Sequence, residues 1–114
     1  MKRLLFAVLT FAALAVQAQE APKVTSAIIA LRGNEIVEAK GFIDEATSII
    51  ETKNQAEIKE KILTKYYYNR ALIYAKIAGS PDAEIKALSD NANDIAAESI
   101  LDLLKYESTL KKPR

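Results

Sequence analysis

The chain has 114 residues, of which 50% are hydrophobic, and it carries 16 basic and 15 acidic side chains for a net charge of +1. So balanced a charge gives no electrostatic reason to bind nucleic acid or an anionic membrane. The absence of cysteine and histidine excludes a disulfide framework, ordinary zinc sites, haem ligation and Cys–His or Ser–His–Asp catalysis. This length favours one small domain.

Residues 1–18 are typical of a secretory signal peptide. Lys2 and Arg3 form a basic start, and residues 4–16 form an apolar run that is too short to span a bilayer comfortably. The small side chains of Val16 and Ala18 predict cleavage after Ala18, and an uncleaved anchor is the alternative. The segment predicts a periplasmic or secreted protein that is not inserted in the membrane once the signal is removed.

Residues 19–23, with Pro22, are expected to form a linker, and residues 24–110 one all-α domain. Helical periodicity recurs along this domain, and the alternating runs that mark β-strands are missing. A short first helix is predicted over residues 24–31. Gly33 is expected to end it in a left-handed conformation, and Asn34 to cap the second helix.

The second helix is predicted to run from Asn34 to about residue 51. Its apolar residues recur at spacings of three and four and form one stripe, which consists of Ile36, Ala39, Ile43, Ala46 and Ile50. Gly41 interrupts this helix, where glycine costs about 1 kcal/mol relative to alanine. It marks either an exposed face or the close approach of a neighbouring helix.

A long third helix is predicted over residues 55–78, because Asn54 and Glu57 form a capping-box pattern. Gly79 ends this helix. Ser80 is expected to cap a new turn in which Pro81 takes the first helical position, and residues 82–88 are expected to form a short helix. The last helix is predicted over residues 92–110, and residues 111–114 form a basic tail.

Four of the five tyrosines lie within residues 66–74, around the small residue Ala71. Tyr67, Ala71 and Tyr74 follow the aromatic–small–tyrosine order that marks the first helix of a tetratricopeptide repeat. Small and large residues alternate in the second helix of each hairpin, at Ala39, Ile43 and Ala46 and again at Ala96 and Ile100. Most of residues 24–106 therefore resembles this family of 34-residue helix–turn–helix units. Departures are Arg70 in place of the usual leucine and Leu103 in place of a small residue.

The resemblance implies antiparallel helical hairpins stacked as a short right-handed superhelix. The chain looks like the front end of a periplasmic tetratricopeptide-type protein, such as those exported by Bacteroidetes bacteria. In this family one side of the first helix lines a concave groove. On the long helix here that side carries Lys65, Tyr68, Asn69, Leu72 and Lys76. The resemblance implies that the lysines and asparagine hold a peptide carboxylate, and a solvated helix surface is the alternative.

The last helix carries a wide apolar arc made of Ala96, Ala97, Ile100, Leu101, Leu103 and Leu104. One hairpin partner covers only part of such an arc, and terminal repeats normally present a polar outer face. Leu101 and Leu104 are therefore predicted to contact a second copy, another protein or further repeats. Asp94, Glu98 and Asp102 form a carboxylate stripe on the same helix. It is either a solvated face or a weak cation site without a calcium-type loop.

The sequence thus predicts an exported, non-catalytic interaction module that binds a protein or peptide partner and uses no metal or cofactor. The alternative is a structural or assembly subunit that forms a homo-oligomer through its last helix. A small carboxylate-based enzyme or a metal-binding protein is a third hypothesis.

Overall fold

The structure is a computed structural model that describes residues 20–110. Within this range the chain is all-α, as predicted, with five α-helices and no strand. The helices are α1 (Glu20–Arg32), α2 (Ile36–Ile50), α3 (Glu60–Ala78), α4 (Ala83–Lys86) and α5 (Ala92–Leu110). The predicted signal peptide over residues 1–18 and the predicted basic tail over residues 111–114 lie outside the described residues.

α1 begins at Glu20, so most of the expected linker is helical. Lys53 Nζ lies 2.6 Å from Glu20 Oε1 and ties the start of α1 to the segment that follows α2. Burial alone would raise the pKa of Glu20, but the hydrogen bond and charge of Lys53 together with a backbone hydrogen bond outweigh burial, and the pKa falls below its ordinary value. A tertiary ion pair therefore stabilises a turn of helix that the periodicity of the sequence does not reveal.

The turn between α1 and α2 depends on Asn34 and not, as predicted, on Gly33. Asn34 has a φ of 59°, whereas none of the described glycines has a positive φ. The amide of Glu35 donates to the carbonyl of Ala30 over 2.8 Å, and that of Asn34 donates to Leu31 over 3.0 Å. These are the two hydrogen bonds of a Schellman motif, and asparagine is one of the few residues that tolerates its left-handed position. Asn34 therefore ends α1, and Glu35 takes the N-cap position of α2.

The predicted apolar stripe of α2 forms the core side of this helix. Its buried members are Ile36, Ala39, Ile43 and Ala46. Gly41 lies on the opposite side, where an added Cβ would meet no atom within 4 Å. The structure therefore supports the first interpretation of Gly41: glycine is tolerated there because the position lies on an exposed face of α2.

α3 begins at Glu60, later than the predicted start at residue 55. Residues Gln55–Glu57 form a single 3-10 turn, in which the amide of Asn54 donates to Glu57 Oε1 over 3.1 Å. Ile58 then adopts an extended backbone and is only 5% exposed. The helix signal at residue 55 was therefore overridden by the burial of Ile58, because tertiary packing outweighs local propensity.

α3 lies at the centre of the fold. It packs extensively against α5, and it also contacts both α1 and α2, which pack against each other. Tyr67 lies beside Tyr106 and Arg70 beside Ser99, so α3 and α5 run antiparallel. Ala39 and Ala71 are both buried, as close helix crossings require. The chain forms two stacked hairpins, and their right-handed superhelical sense stays a prediction.

The connection from α3 to α5 contains the one-turn helix α4, which is shorter than predicted. Asp82, and not Ser80, is its N-cap, since Asp82 Oδ1 accepts a hydrogen bond from the amide of Glu84 over 2.9 Å. The Ser80 hydroxyl instead accepts a hydrogen bond from the amide of Asp82 over 3.1 Å. The serine therefore shapes the turn before the helix.

Candidate functional site

An open groove runs between α1 and α3. Four of the predicted partner-binding residues line its α3 side, namely Lys65, Tyr68, Asn69 and Leu72. The α1 side consists of Thr25, Ile28, Ile29, Leu31 and Arg32. These nine residues are called the α1–α3 groove below. Helix α1 carries no signal for this role in the sequence beyond its apolar residues, and its contribution was not predicted.

The α1–α3 groove combines exposed apolar side chains with positive charge. Ile29 is 63% exposed and Tyr68 is 50% exposed, whereas core residues of similar size are almost completely covered. Lys65 and Arg32 are its charged residues, and no carboxylate side chain lines it. The groove therefore offers two cations beside an apolar surface, which is complementary to a ligand with acidic and apolar groups.

Asn69 differs from its neighbours in the groove because it is 8% exposed. Its side-chain amide donates to the carbonyl of Lys65, one turn earlier, over 2.8 Å. This bond uses one of its donors within α3. Asn69 is therefore a buried structural residue beneath the groove surface. Lys65 is the exposed charged residue that α3 contributes to the groove.

A second depression continues the α1–α3 groove towards the end of α3. Leu72 lines both, and Lys76 lines the second one together with Asn34 from the turn between α1 and α2. Pro81 and Ile85 also line it. The structure thus brings the five predicted residues of α3 onto one continuous surface, although binding by that surface stays a prediction.

Two tyrosines fix the wall of α3 that lies against α2. The hydroxyl of Tyr74 donates to Asp44 Oδ1 over 2.5 Å, and Asp44 Oδ2 also lies 2.7 Å from Lys40 Nζ. Burial, reinforced by the hydrogen bond to Asp44, raises the pKa of Tyr74 well above its ordinary value. Tyr66 Oη lies 2.8 Å from Thr47 Oγ1, and burial raises its pKa as well. Tyr66 and Tyr74 therefore stabilise the packing of α3 on α2. Among the consecutive residues Tyr66, Tyr67 and Tyr68, the exposed ring is Tyr68.

Arg70 connects α3 to α5. Its Nη1 donates to Ser99 Oγ over 3.1 Å and lies 3.6 Å from Glu98 Oε1. Its guanidinium group also lies over the ring of Tyr74, at 5.6 Å from the ring centroid. Arg70 therefore makes polar contacts with the facing helix.

Leu101 and Leu104, the other two predicted partner-binding residues, lie on a different surface. They are 61% and 56% exposed, and Ile100 beside them is 38% exposed. The shallow surface around them is lined by α5 alone and shares no residue with the α1–α3 groove. The prediction that one hairpin partner covers only part of the apolar arc is therefore confirmed, and the candidate site consists of two separate surfaces.

The carboxylate stripe of α5 does not form a cluster in the described part of the chain. Within residues 20–110, no group of three or more acidic side chains is arranged to share a metal ion. Glu98, the middle member of the stripe, lies beside Arg70. Among the helices described, none is both long and apolar enough to cross a bilayer.

Comparisons with protein-family models, with curated proteins and with solved structures find no match to this chain.

Proposed function

We propose that this chain is an exported, non-catalytic interaction module that binds an acidic peptide segment of a partner protein in the α1–α3 groove. The observation that carries the proposal is the composition of that groove. Tyr68 and Ile29 are exposed next to Lys65 and Arg32, with no carboxylate in the lining. Rigid aromatic rings and cations are common anchors of protein interfaces.

The arrangement of the helices supports the same proposal. α3 contacts both helices of the first hairpin, as expected if two tetratricopeptide-like units stack. Such stacking places the first helices of consecutive units side by side, here α1 and α3, and the groove lies between these two helices. The bound segment is proposed to place an apolar side chain against Tyr68 and a carboxylate near Lys65, without covalent chemistry.

The test is a selection of random heptapeptides with free carboxyl ends against the chain that lacks residues 1–18. The expected result is enrichment of sequences with acidic and apolar residues. Lys65→Glu and Tyr68→Ala should each weaken binding of a selected peptide about tenfold or more. Lys86→Glu, on exposed α4, is the matched charge control and should leave binding unchanged. Failure to enrich acidic peptides, or binding that survives Lys65→Glu, would refute the proposal.

A structural role in self-assembly is the second candidate function. The specific observation that favours it is the exposure of Leu101 and Leu104 on a surface separate from the groove. Leu101→Ser combined with Leu104→Ser distinguishes the two functions. An assembly subunit should dissociate, whereas a groove binder should retain its peptide.

A further inference from the structure

The side of α5 that faces away from α3 carries a regular pattern of side chains. Ser99 is fully buried against α3, and Ala97 and Leu101 lie two residues before and after it. Two residues along an α-helix correspond to a rotation of about 200°, so both point to the opposite side. Leu104 and Ser108 continue this row at spacings of three and four. Ala97, Leu101, Leu104 and Ser108 are called the outer face of α5 below.

The charges that flank the outer face have opposite signs at its two ends. Glu98 and Lys105 lie on the same edge, seven residues or two helical turns apart, with Asp102 between them, and all three border the surface around Leu101 and Leu104. The side chain of Glu98 is 65% exposed even though it lies near Arg70. A second cation therefore has room to approach this carboxylate from outside.

The same asymmetry extends along the sequence. Residues 90–102 contain the acidic side chains Asp90, Asp94, Glu98 and Asp102 and no basic one. Residues 105–114 contain the basic side chains Lys105, Lys111, Lys112 and Arg114 and the single acidic residue Glu107. The segment is therefore complementary in charge to a reversed copy of itself, whereas a parallel copy would place like charges together.

We propose that the outer face of α5 binds the outer face of a second copy in antiparallel orientation around a two-fold axis. The axis passes between Leu101 and Leu104, so that Leu101 of each copy packs on Leu104 of the other. Ala97 then lies opposite Ser108 at both ends of the row. Small residues there allow the two helices to approach to about 8–10 Å.

The two-fold axis also pairs the charges twice. Glu98 of one copy lies beside Lys105 of the other, and the symmetric pair forms on the other side of the axis. Such an isologous contact is closed, so it produces a dimer and not a filament. The apolar centre consists of two leucine layers, which is small for a protein interface, so the dimer is expected to dissociate on dilution.

This inference rests on the second candidate function, self-assembly, and is independent of peptide binding in the α1–α3 groove. The experiment is analytical ultracentrifugation of the chain without residues 1–18, over a range of concentrations. Wild type is compared with Glu98→Lys, with Lys105→Glu and with an equimolar mixture of these two variants. Glu84→Lys and Lys86→Glu on exposed α4 are the matched charge controls.

Wild type and both controls should form a concentration-dependent dimer. Each single reversal places like charges together in both symmetric pairs and should raise the dissociation constant about tenfold or more. The equimolar mixture should regain dimers, because the two cations at positions 98 and 105 of one chain then meet the two anions at the same positions of the other.

Glu98→Lys also places a cation near Arg70, so a loss of dimer in this variant has two explanations, this local change and the lost pairing. A variant that keeps the local change but restores the pairing separates them. Glu98→Lys combined with Lys105→Glu in one chain restores the pairing around the two-fold axis and should dimerise as wild type does. Circular dichroism should show the same helix content in all variants.

Three outcomes would overturn the inference, and they are distinguishable. If the wild-type chain stays monomeric at every concentration, both this inference and the second candidate function are refuted. A different protein then remains as the partner of the outer face. A dimer that persists in Leu101→Ser combined with Leu104→Ser uses another surface. A dimer that uses these leucines but is insensitive to the charge reversals supports self-assembly without the antiparallel pairing.

Discussion

The two hairpins of this fold differ in how much of their second helix is covered. In the first hairpin, α2 buries Ile36, Ala39, Ile43 and Ala46, because it packs against α1 on one side and α3 on another. In the second hairpin, the buried residues of α5 are Ala92 and Ser99, which are both small. α5 nevertheless packs on α3 more extensively than any other helix does.

The contrast shows that extensive contact and burial of large side chains are separate properties. Small residues bring the backbone of α5 close to α3, while Leu101 and Leu104 remain on the outside. The free energy of folding is therefore expected to depend mainly on the first hairpin and on α3. The exposed leucines of α5 remain available for contacts with other molecules.

Substitution of one large apolar residue in each hairpin tests this contrast directly. Ile43→Ala should lower the free energy of unfolding by about 2–5 kcal/mol, because the side chain of Ile43 is fully buried and its removal leaves a cavity. Leu101→Ala should change it by about 0.5 kcal/mol or less in dilute protein, because Leu101 is 61% exposed. Urea unfolding measures both, and comparable losses would contradict the difference between the hairpins.

The hydrogen bonds between α2 and α3 should have the next largest effect. Tyr74→Phe should cost about 1.5–3 kcal/mol, because the hydroxyl of Tyr74 donates to the charged carboxylate of Asp44. Tyr66→Phe should cost about 0.5–1.5 kcal/mol, because the partner of Tyr66 is the neutral hydroxyl of Thr47. Equal losses in urea unfolding would show that the charge of Asp44 adds nothing.

Alkaline titration refines the comparison of the two tyrosines. The pKa of Tyr74 is raised in the folded chain, so its contribution to stability is complete below the ordinary tyrosine pKa of about 10 and is lost as pH rises further. The wild type should therefore lose more stability between pH 9 and pH 11 than Tyr74→Phe does. Urea unfolding at several pH values measures the two slopes, and parallel slopes would argue against the buried phenol.

The turn of the first hairpin provides a smaller and more local test. Asn34→Ala should cost about 1–2 kcal/mol, because Asn34 has a φ of 59° and alanine is strained there. Gly33→Ala should be close to neutral, since the nearest atom to an added Cβ lies at 3.6 Å, an ordinary contact. Asn34→Gly should retain the stability of the wild type. Thermal unfolding distinguishes these variants, and a larger loss at Gly33 than at Asn34 would restore the original prediction.

The fold class and the order of the helices followed from periodicity alone. The spacing of Ile36, Ala39, Ile43 and Ala46 identified the buried side of α2, because a helix with one covered face repeats its apolar residues at this interval. Periodicity could not place the start of α3. Ile58 adopts an extended backbone and packs in the core, and this packing depends on residues far away in the sequence.

The candidate site was predictable only in part, for a similar reason. Lys65, Tyr68, Asn69 and Leu72 lie on one side of a single helix, so the sequence predicted that they share a surface, and the structure places them together. The opposite wall belongs to α1, and its position depends on tertiary packing. The burial of Asn69 and the contact between Arg70 and Ser99 also depend on which helix lies against α3.

The smallest expected effect concerns the ion pair that holds the start of α1. Glu20 and Lys53 have side chains that are 14% and 22% exposed, whereas Glu45, the partner of Lys23, is 56% exposed. Glu20→Gln should therefore destabilise the chain at neutral pH by about 1 kcal/mol, and Glu45→Gln by a few tenths. Both pairs have one partner in α1, so the comparison mainly reports the effect of burial.

The stabilisation by Glu20 should depend on pH in the direction set by its pKa shift. The pKa of Glu20 is lowered in the folded chain, so its contribution is present above the ordinary pKa of 4.5 and is lost as pH falls through the lowered value. Wild type and Glu20→Gln should therefore differ in urea unfolding at pH 7 and converge as pH falls through the lowered pKa of Glu20. A difference that persisted in acid would mean that the shape of Glu20, and not its charge, stabilises the first turn of α1. The same result would remove the tertiary ion pair as the reason that α1 begins at Glu20.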